Sequence, residues 1–264
     1  MIVGLFPLTE RLVTEDFLMR MILVGLFLLL YFTASLVVLP VLWIIGRFNL
    51  RTKNYISFKI VRWAFRVILF IVGAKLTVIG EENIPDDRSV LFMGNHRSNF
   101  DALIHYVNVK IPMGFISKKE VKKVPLLNIW MDNINCLFLD RDDIKQGMQM
   151  VLDAINMIKK GIGICIFPEG TRCKKEGELL PFKSGSFKIA TKSKCDIVPF
   201  AINNSAALFE DSPHRFFRKA NVVIEYGAPI QTSEMSREDV KELPDKVRDI
   251  IAEMIEKNAA KEAV

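Results

Sequence analysis

The sequence predicts an α/β protein: a mixed sheet flanked by helices and preceded by an N-terminal helical membrane segment. Three observations carry that reading. From Lys75 onward, short apolar runs alternate with amphipathic stretches of helical period. Before it, Met21 to Gly46 is a run of 26 residues without a charge, where about 20 suffice to cross a bilayer as a helix. The chain has 264 residues, enough for one substantial core with an appended segment. The expected organisation is membrane-associated helices over residues 1–74 and an α/β domain over 75–264.

Half of the residues are hydrophobic and the net charge is +6. A basic balance suits anionic lipid or an acidic protein. Nucleic acid is the rival partner, but no zinc-finger spacing or RNA-binding signature occurs, so none is expected. Cys136, Cys165, Cys173 and Cys195 form no C-x-x-C pair, and three of them abut predicted strands. They read as reduced thiols in a cytosolic compartment.

In chain order, residues 1–20 carry Glu10, Arg11, Glu15, Asp16 and Arg20 among apolar residues. The uncharged run is too long, and too far from the start, for a signal peptide. Pro40 is a point where a kink is expected. Arg47, Arg51, Lys53, Lys59, Arg62 and Arg66 come next. If the run spans, the positive-inside rule puts this basic stretch and the rest of the chain on the cytoplasmic face. Within Tyr55 to Ala74, Lys59, Arg62 and Arg66 fall near one helical face, with Ile60, Trp63, Val67, Phe70 and Ile71 opposite. That pattern predicts an interfacial helix with its basic side toward headgroups, the alternative being an amphipathic core helix. A hairpin entering one leaflet and a single span both stay open.

Seven short strands are expected next: LTVIG, SVLFMG, MGFIS, CLFL, GICIF, DIVPFAI and NVVIEYG. Helices are expected over 98–109, 125–134, 143–160 and 185–194, with Gly161 as a helix stop. A charged amphipathic helix is expected from Ser236 to Lys261, capped through Ser236 and Asp239, with Pro244 breaking its first turn. Pro199 inside a strand points to an edge or a bulge.

Two stretches carry chemistry. In SVLFMGNHRSNFD, residues 89–101, an apolar strand stops at Gly94-Asn95 and His96 comes directly after. Ser98-x-x-Asp101 has capping-box spacing, which predicts a helix starting at Ser98. On one continuous helix, His96 and Asp101 would lie roughly 140° apart, whereas across a strand-to-helix turn they can meet. An imidazole paired with a carboxylate is fixed in one tautomer, and its far nitrogen becomes a better proton acceptor. The second stretch is Phe167-Pro168-Glu169-Gly170-Thr171-Arg172, at the carboxyl end of a strand, where open α/β sheets place ligands. Gly170 permits a tight backbone, and Arg172 offers a planar fork suited to phosphate. Glu169 is read as accepting from a substrate hydroxyl or holding the Arg172 fork.

NHRSNFD resembles the His-x4-Asp block of the glycerolipid acyltransferases, especially the 1-acylglycerol-3-phosphate acyltransferases. FPEGTR is similar to that family's third block without a substitution, and the resemblance covers roughly residues 74–230. Ser117-Lys118-Lys119-Glu120 and Leu139-Asp140-Arg141 resemble its second block. By position Lys118 matches the block's Lys, Lys119 being the other register, and Arg141 its Arg. Lys183-Ser184-Gly185 and Ile197-Val198-Pro199 resemble the family's later stretches.

The resemblance implies acyl transfer from a thioester to the sn-2 hydroxyl of 1-acylglycerol 3-phosphate, giving phosphatidic acid. His96 would act as general base, with Asp101 supporting it. Lys118, Arg141, Glu169, Gly170, Thr171 and Arg172 would bind substrate. No metal is required, and no cofactor beyond the donor, acyl carrier protein or coenzyme A thioester. The implied partners are the lysolipid, the donor and membrane lipids. Rival readings are acylation of glycerol 3-phosphate or another lysophospholipid, and a catalytically silent membrane lipid-binding protein.

Absences narrow the field. No G-x-S-x-G elbow argues for a hydrolase, and no G-x-x-x-x-G-K-[ST] loop argues for ATP-driven phosphoryl transfer. His105 and His214 sit near no metal-like set and read as structural.

Overall fold

The structure, a computed structural model, describes residues 8–140, 143–212 and 216–259. It opens with two long helices, α1 (Leu8–Phe48) and α2 (Leu50–Val72). Asn49 alone joins them, its side chain accepting the Thr52 N–H at 2.9 Å. Helix α1 continues through Pro40. Helix α2 stops at Gly73, whose φ of +87° favours glycine and whose N–H reaches the Leu69 and Phe70 carbonyls.

The orientation of α2 differs from the expected one. Phe58, Val61, Leu69 and Val72 are buried against the rest of the protein. Arg62 does not face outward: its Nε donates to the Val107 carbonyl at 2.9 Å, and Arg66 Nη2 reaches the same oxygen at 3.4 Å. Trp63 and Phe70, 55% and 83% exposed, form the outer side instead. A guanidinium on a long stem can satisfy a helix-end carbonyl, so it packs inward where a bare sequence pattern places it in solvent.

All seven expected strands form: β1 (Ala74–Ile79), β2 (Leu91–Gly94), β3 (Met113–Lys118), β4 (Leu137–Leu139), β5 (Gly163–Ile166), β6 (Ile197–Asn203) and β7 (Ala220–Tyr226). They make one sheet in the order β1-β7-β6-β2-β5-β3-β4. Every pairing is parallel except β6 with β7. The connecting helices are α3 (Phe100–Asn108), α4 (Leu127–Asn133), α5 (Ile144–Lys159) and α6 (Lys188–Ser193), and α7 (Arg237–Ala259) follows the last strand.

Strand residues alternate between two cores, as a two-residue side-chain period requires. Phe92, Cys165, Val198, Phe200 and Ile202 face α2, α3 and α4. Leu91, Met93, Ile164, Ile166 and Ala201 face α5, α6 and α7. Sheet and helix layers thus bury both faces of the parallel strands, the usual solution for such a sheet.

Local chemistry sets several boundaries. Asp143 caps α5 through the Lys145 and Gln146 N–H groups. The helix closes with Gly161 at φ +83°, its N–H on Ile158 O and the Ile162 N–H on Met157 O, a Schellman ending. Ser236 and Asp239 form the reciprocal capping box ahead of α7. Pro244 does not break that helix, which runs through it. Leu243, Val247, Ile251, Met254 and Ile255 anchor α7 on the sheet, and this packing outweighs one missing hydrogen bond.

Pro199 lies in β6, between β2 and β7, rather than on an edge. Its carbonyl accepts the Gly227 N–H just beyond the last ladder pair, Phe200 with Tyr226. Between that pair and the Ile197–Ile230 bridge the partner segment carries one extra residue, so Pro199 sits at a bulge, where a missing N–H is tolerated.

Candidate active site

The strand end at β2 is clamped to β6 before the chemistry begins. Asn95 donates to the Ile202 carbonyl and accepts the Ile202 N–H, both at 2.8 Å, so one side chain imitates a ladder pair. The chain then turns, and His96 Nδ1 meets Asp101 Oδ2 at 2.9 Å. The expected box is half formed. Asp101 Oδ2 accepts the Ser98 N–H at 2.7 Å, but the Ser98 hydroxyl takes the Phe100 N–H, and the helix starts two residues later than expected. Asp101 Oδ2 also accepts the Arg97 N–H at 2.7 Å, and Oδ1 the Ser205 hydroxyl at 2.5 Å. Four donors hold this fully buried carboxylate in one orientation.

The His96 ring stacks on Phe167, centroids 4.3 Å apart, so both its tilt and its Nδ1 direction are fixed. With Nδ1 on Asp101, Nε2 is the ring atom left for a reacting group. His96 lines a cavity of about 710 Å³ whose walls include Ile116, Leu139, Val151, Ile155 and Ile166. Lys183 and Lys188 are among its polar lining. The cavity lies at the carboxyl ends of β2 and β5, between the sheet and α5.

The Phe167–Arg172 loop is joined to His96 through the backbone. Glu169 Oε1 accepts the His96 N–H at 2.7 Å, and the Cys173 N–H donates to the His96 carbonyl at 2.7 Å. Glu169 Oε2 accepts the Leu180 N–H at 2.9 Å. Burial pushes the Glu169 carboxyl upward, and these two amide hydrogen bonds oppose it. Glu169 therefore does not hold the Arg172 fork. That guanidinium is on Glu210, Nη1 to Oε1 at 3.0 Å. Gly170, at φ +71°, takes a left-handed turn, and an added Cβ would meet Lys183 Cε at 2.8 Å. Thr171 is exposed.

The other expected residues separate. Lys118 is exposed at the end of β3 and is not part of the cavity wall, whereas Lys119 pairs with Asp140. Arg141 and His214 lie outside the described residues. His105 is fully buried, its Nδ1 at 3.1 Å from the Tyr226 hydroxyl and its ring stacked on Phe200. Burial pulls its pKa down to about 3.

Four residues reach the site without a local signal for the place they take. Ser205 and Glu210 lie more than 100 residues from the groups they bind in the His96 block. Arg97 ties Glu176 and Asp211 to the turn, although in the sequence it is only a spacer between His96 and Ser98. Lys183 belongs to one of the matching stretches, but its place over Gly170 in the cavity wall is a product of folding.

Residues 75–203 match the family model described as Acyltransferase. A probable 1-acyl-sn-glycerol-3-phosphate acyltransferase of Mycoplasma pneumoniae is 34% identical over 187 residues, covering 68% of each chain. The chain belongs to the 1-acyl-sn-glycerol-3-phosphate acyltransferase family. A member from Borreliella burgdorferi is 33% identical over 58% of this chain, and one from Saccharomyces cerevisiae 30% identical over 71%. The matches span 61% and 62% of those two family members' own lengths. The crystal structure of the 1-acyl-sn-glycerophosphate acyltransferase PlsC from Thermotoga maritima has the same fold. Its TM-score is 0.73 at 22% identity, with 91% of this chain and 97% of that one covered.

Proposed function

We propose that this protein transfers an acyl group from a thioester to the sn-2 hydroxyl of 1-acylglycerol 3-phosphate, forming phosphatidic acid. The observation that carries the reading is the His96–Asp101 pair, oriented by a fully engaged carboxylate and opening onto an apolar cavity. His96 Nε2 takes the proton of the acceptor hydroxyl as its oxygen attacks the thioester carbonyl. The carbon–sulfur bond breaks, and the proton passes to the departing thiol. No acyl group is attached to the protein. Asp101 holds the Nδ1–H tautomer and supports the imidazolium that forms. Arg172 binds the acceptor's phosphate, assisted by Lys183, and so fixes the hydroxyl relative to His96. Glu169 and Gly170 shape the loop. Lys118 and Arg141 stay as candidates for the same phosphate or for the donor's anionic carrier, acyl carrier protein or coenzyme A.

The reading places the protein at a membrane surface. The outer side of α1 gives the support: Ile22, Leu26, Leu29, Leu30, Val37 and Val41 are each at least half exposed. One described helical segment, Asp16–Phe48, is long and apolar enough to cross a bilayer. We favour a hairpin lying in one leaflet, because α1 is also tied sideways to the α/β part. Trp130 Nε1 of α4 donates to Ser35 Oγ, while Arg20 Nη1 closes the hairpin on itself at the Ile71 carbonyl of α2. A hairpin that does not cross keeps the chain on one face, and the exposed Arg47, Arg51 and Lys59 suit the anionic cytoplasmic leaflet.

The test is thiol release by the purified full chain with a panel of acceptors and both thioester donors, scored by product mass. Lysophosphatidic acid should be the best acceptor, and His96→Ala should lower kcat by about two to four orders of magnitude. Donor hydrolysis without acylated product, or equal turnover in folded His96→Ala, would sink the proposal.

A further inference from the structure

Arg172 carries an anionic partner. Glu210 already occupies it, Oε1 accepting Arg172 Nη1 at 3.0 Å. The same oxygen accepts the Asn99 N–H at 2.9 Å, and Oε2 accepts the Ser98 hydroxyl at 2.7 Å. A guanidinium, a backbone amide and a hydroxyl thus converge on one carboxylate, beside the turn that carries His96. A phosphate monoester takes the same three kinds of donor. The carboxylate is mostly covered, with 17% of the Glu210 side chain exposed, while Arg172 keeps 43% of its own.

The segment is pinned independently of Glu210. The neighbouring Asp211 accepts Arg97 Nη2 on both oxygens at 2.9 Å, and its N–H donates to the Ala206 carbonyl. Glu210 can therefore swing off Arg172 without the segment leaving.

We infer that Glu210 is an internal occupant of the acceptor's phosphate subsite, displaced when the phosphate arrives. The inference rests on the proposed reading of Arg172 as a phosphate ligand. Empty, the subsite keeps Arg172 and the start of α3 in place through the carboxylate. Loaded, a dianion replaces a monoanion, and the two repel if both remain. The acceptor's apparent affinity is its intrinsic affinity reduced by the fraction of molecules whose Glu210 is out. An acceptor without a phosphate does not compete for Arg172, so Glu210 is a specificity-determining residue for phosphate-bearing acceptors.

Glu210→Gln tests this, because glutamine keeps an oxygen for the Asn99 N–H and a partner for the Ser98 hydroxyl but drops the charge. KM for lysophosphatidic acid should fall about twofold to fivefold, the scale of a partly exposed ion pair. Inhibition by inorganic phosphate should strengthen by a similar factor, while KM for 1-monoacylglycerol should not change with it. Glu210→Asp, which retracts the carboxylate by one methylene, should move KM in the same direction. Unchanged or higher KM for lysophosphatidic acid in the folded variants would reduce Glu210 to a strut and overturn the inference. Arg172→Ala separates the two readings. If it leaves phosphate inhibition and KM intact, the phosphate-ligand reading itself fails. If it weakens both while the Glu210 variants strengthen neither, only the occupant inference fails.

Discussion

Both oxygens of Glu169 accept backbone N–H groups, and the residue is 3% exposed. It braces the His96 backbone against the loop after β5. Glu169→Gln should therefore act as a packing defect more than as a loss of charge. One amide oxygen remains, and the NH2 group would face either the His96 or the Leu180 N–H, leaving two donors opposed. A buried unmet donor costs about 1–3 kcal/mol. Denaturant unfolding should show a loss of that size, together with a lower kcat. A rise in KM for the phosphate-bearing acceptor at full stability would restore the view that Glu169 serves Arg172. Gly170→Ala is the sharper probe of the loop. Its φ of +71° is strained for any Cβ, and the new methyl would press on Lys183. It should lower both stability and acceptor affinity, read by thermal unfolding and KM.

At the scale of the element, the α1–α2 pair has an inner and an outer side. The inner side is held by Leu39, Leu42, Phe58 and Val61, all buried. The outer side carries Leu30 at 60%, Val37 at 70% and Phe70 at 83% exposure. Removing α1 would uncover the inner side and confuse lost binding with lost folding, so point changes are the better test. Leu30→Glu with Phe70→Glu should leave the unfolding midpoint nearly unchanged, since exposed positions contribute little to folding. Each replaced side chain gives up about 1.5–3 kcal/mol of burial if it sits in lipid. Flotation with anionic vesicles should then fall by about tenfold or more for the pair. Undiminished flotation would mean that this face does not meet the membrane.

For the molecule as a whole, His105 makes stability depend on acid. It is fully buried among Phe92, Phe200 and Tyr226, and burial pulls its pKa from 6.5 to about 3. Below pH 6.5 the unfolded chain binds a proton here that the folded chain refuses, so stability rises with pH across this window. The contribution is fully present above about pH 6.5 and is lost as pH falls toward 3. Relative to His105→Gln, the parent should lose stability more steeply between those limits, by up to about 1.4 kcal/mol per pH unit. Equal slopes would contradict a neutral buried imidazole. The elements were legible in the sequence because they are written locally. Period-two apolar runs marked the seven strands, Gly161 and Ser236 marked helix ends, and the His-x4-Asp and FPEGTR blocks marked the site. Where a signal depended on a partner far along the chain, the sequence was silent. Pro199 read as an edge or a bulge residue, and only the pairing with β7 decides between them, while Pro244 looked like a helix breaker because the packing of α7 is nonlocal. Arg62 and Arg66 read as headgroup ligands until the Val107 carbonyl stood beside them. Residue types and spacing determined which groups could do the chemistry. Only the tertiary structure decided which of them meet, because Ser205 on Asp101, Glu169 on His96 and Glu210 on Arg172 are hydrogen bonds that exist once the sheet has brought distant loops to one end.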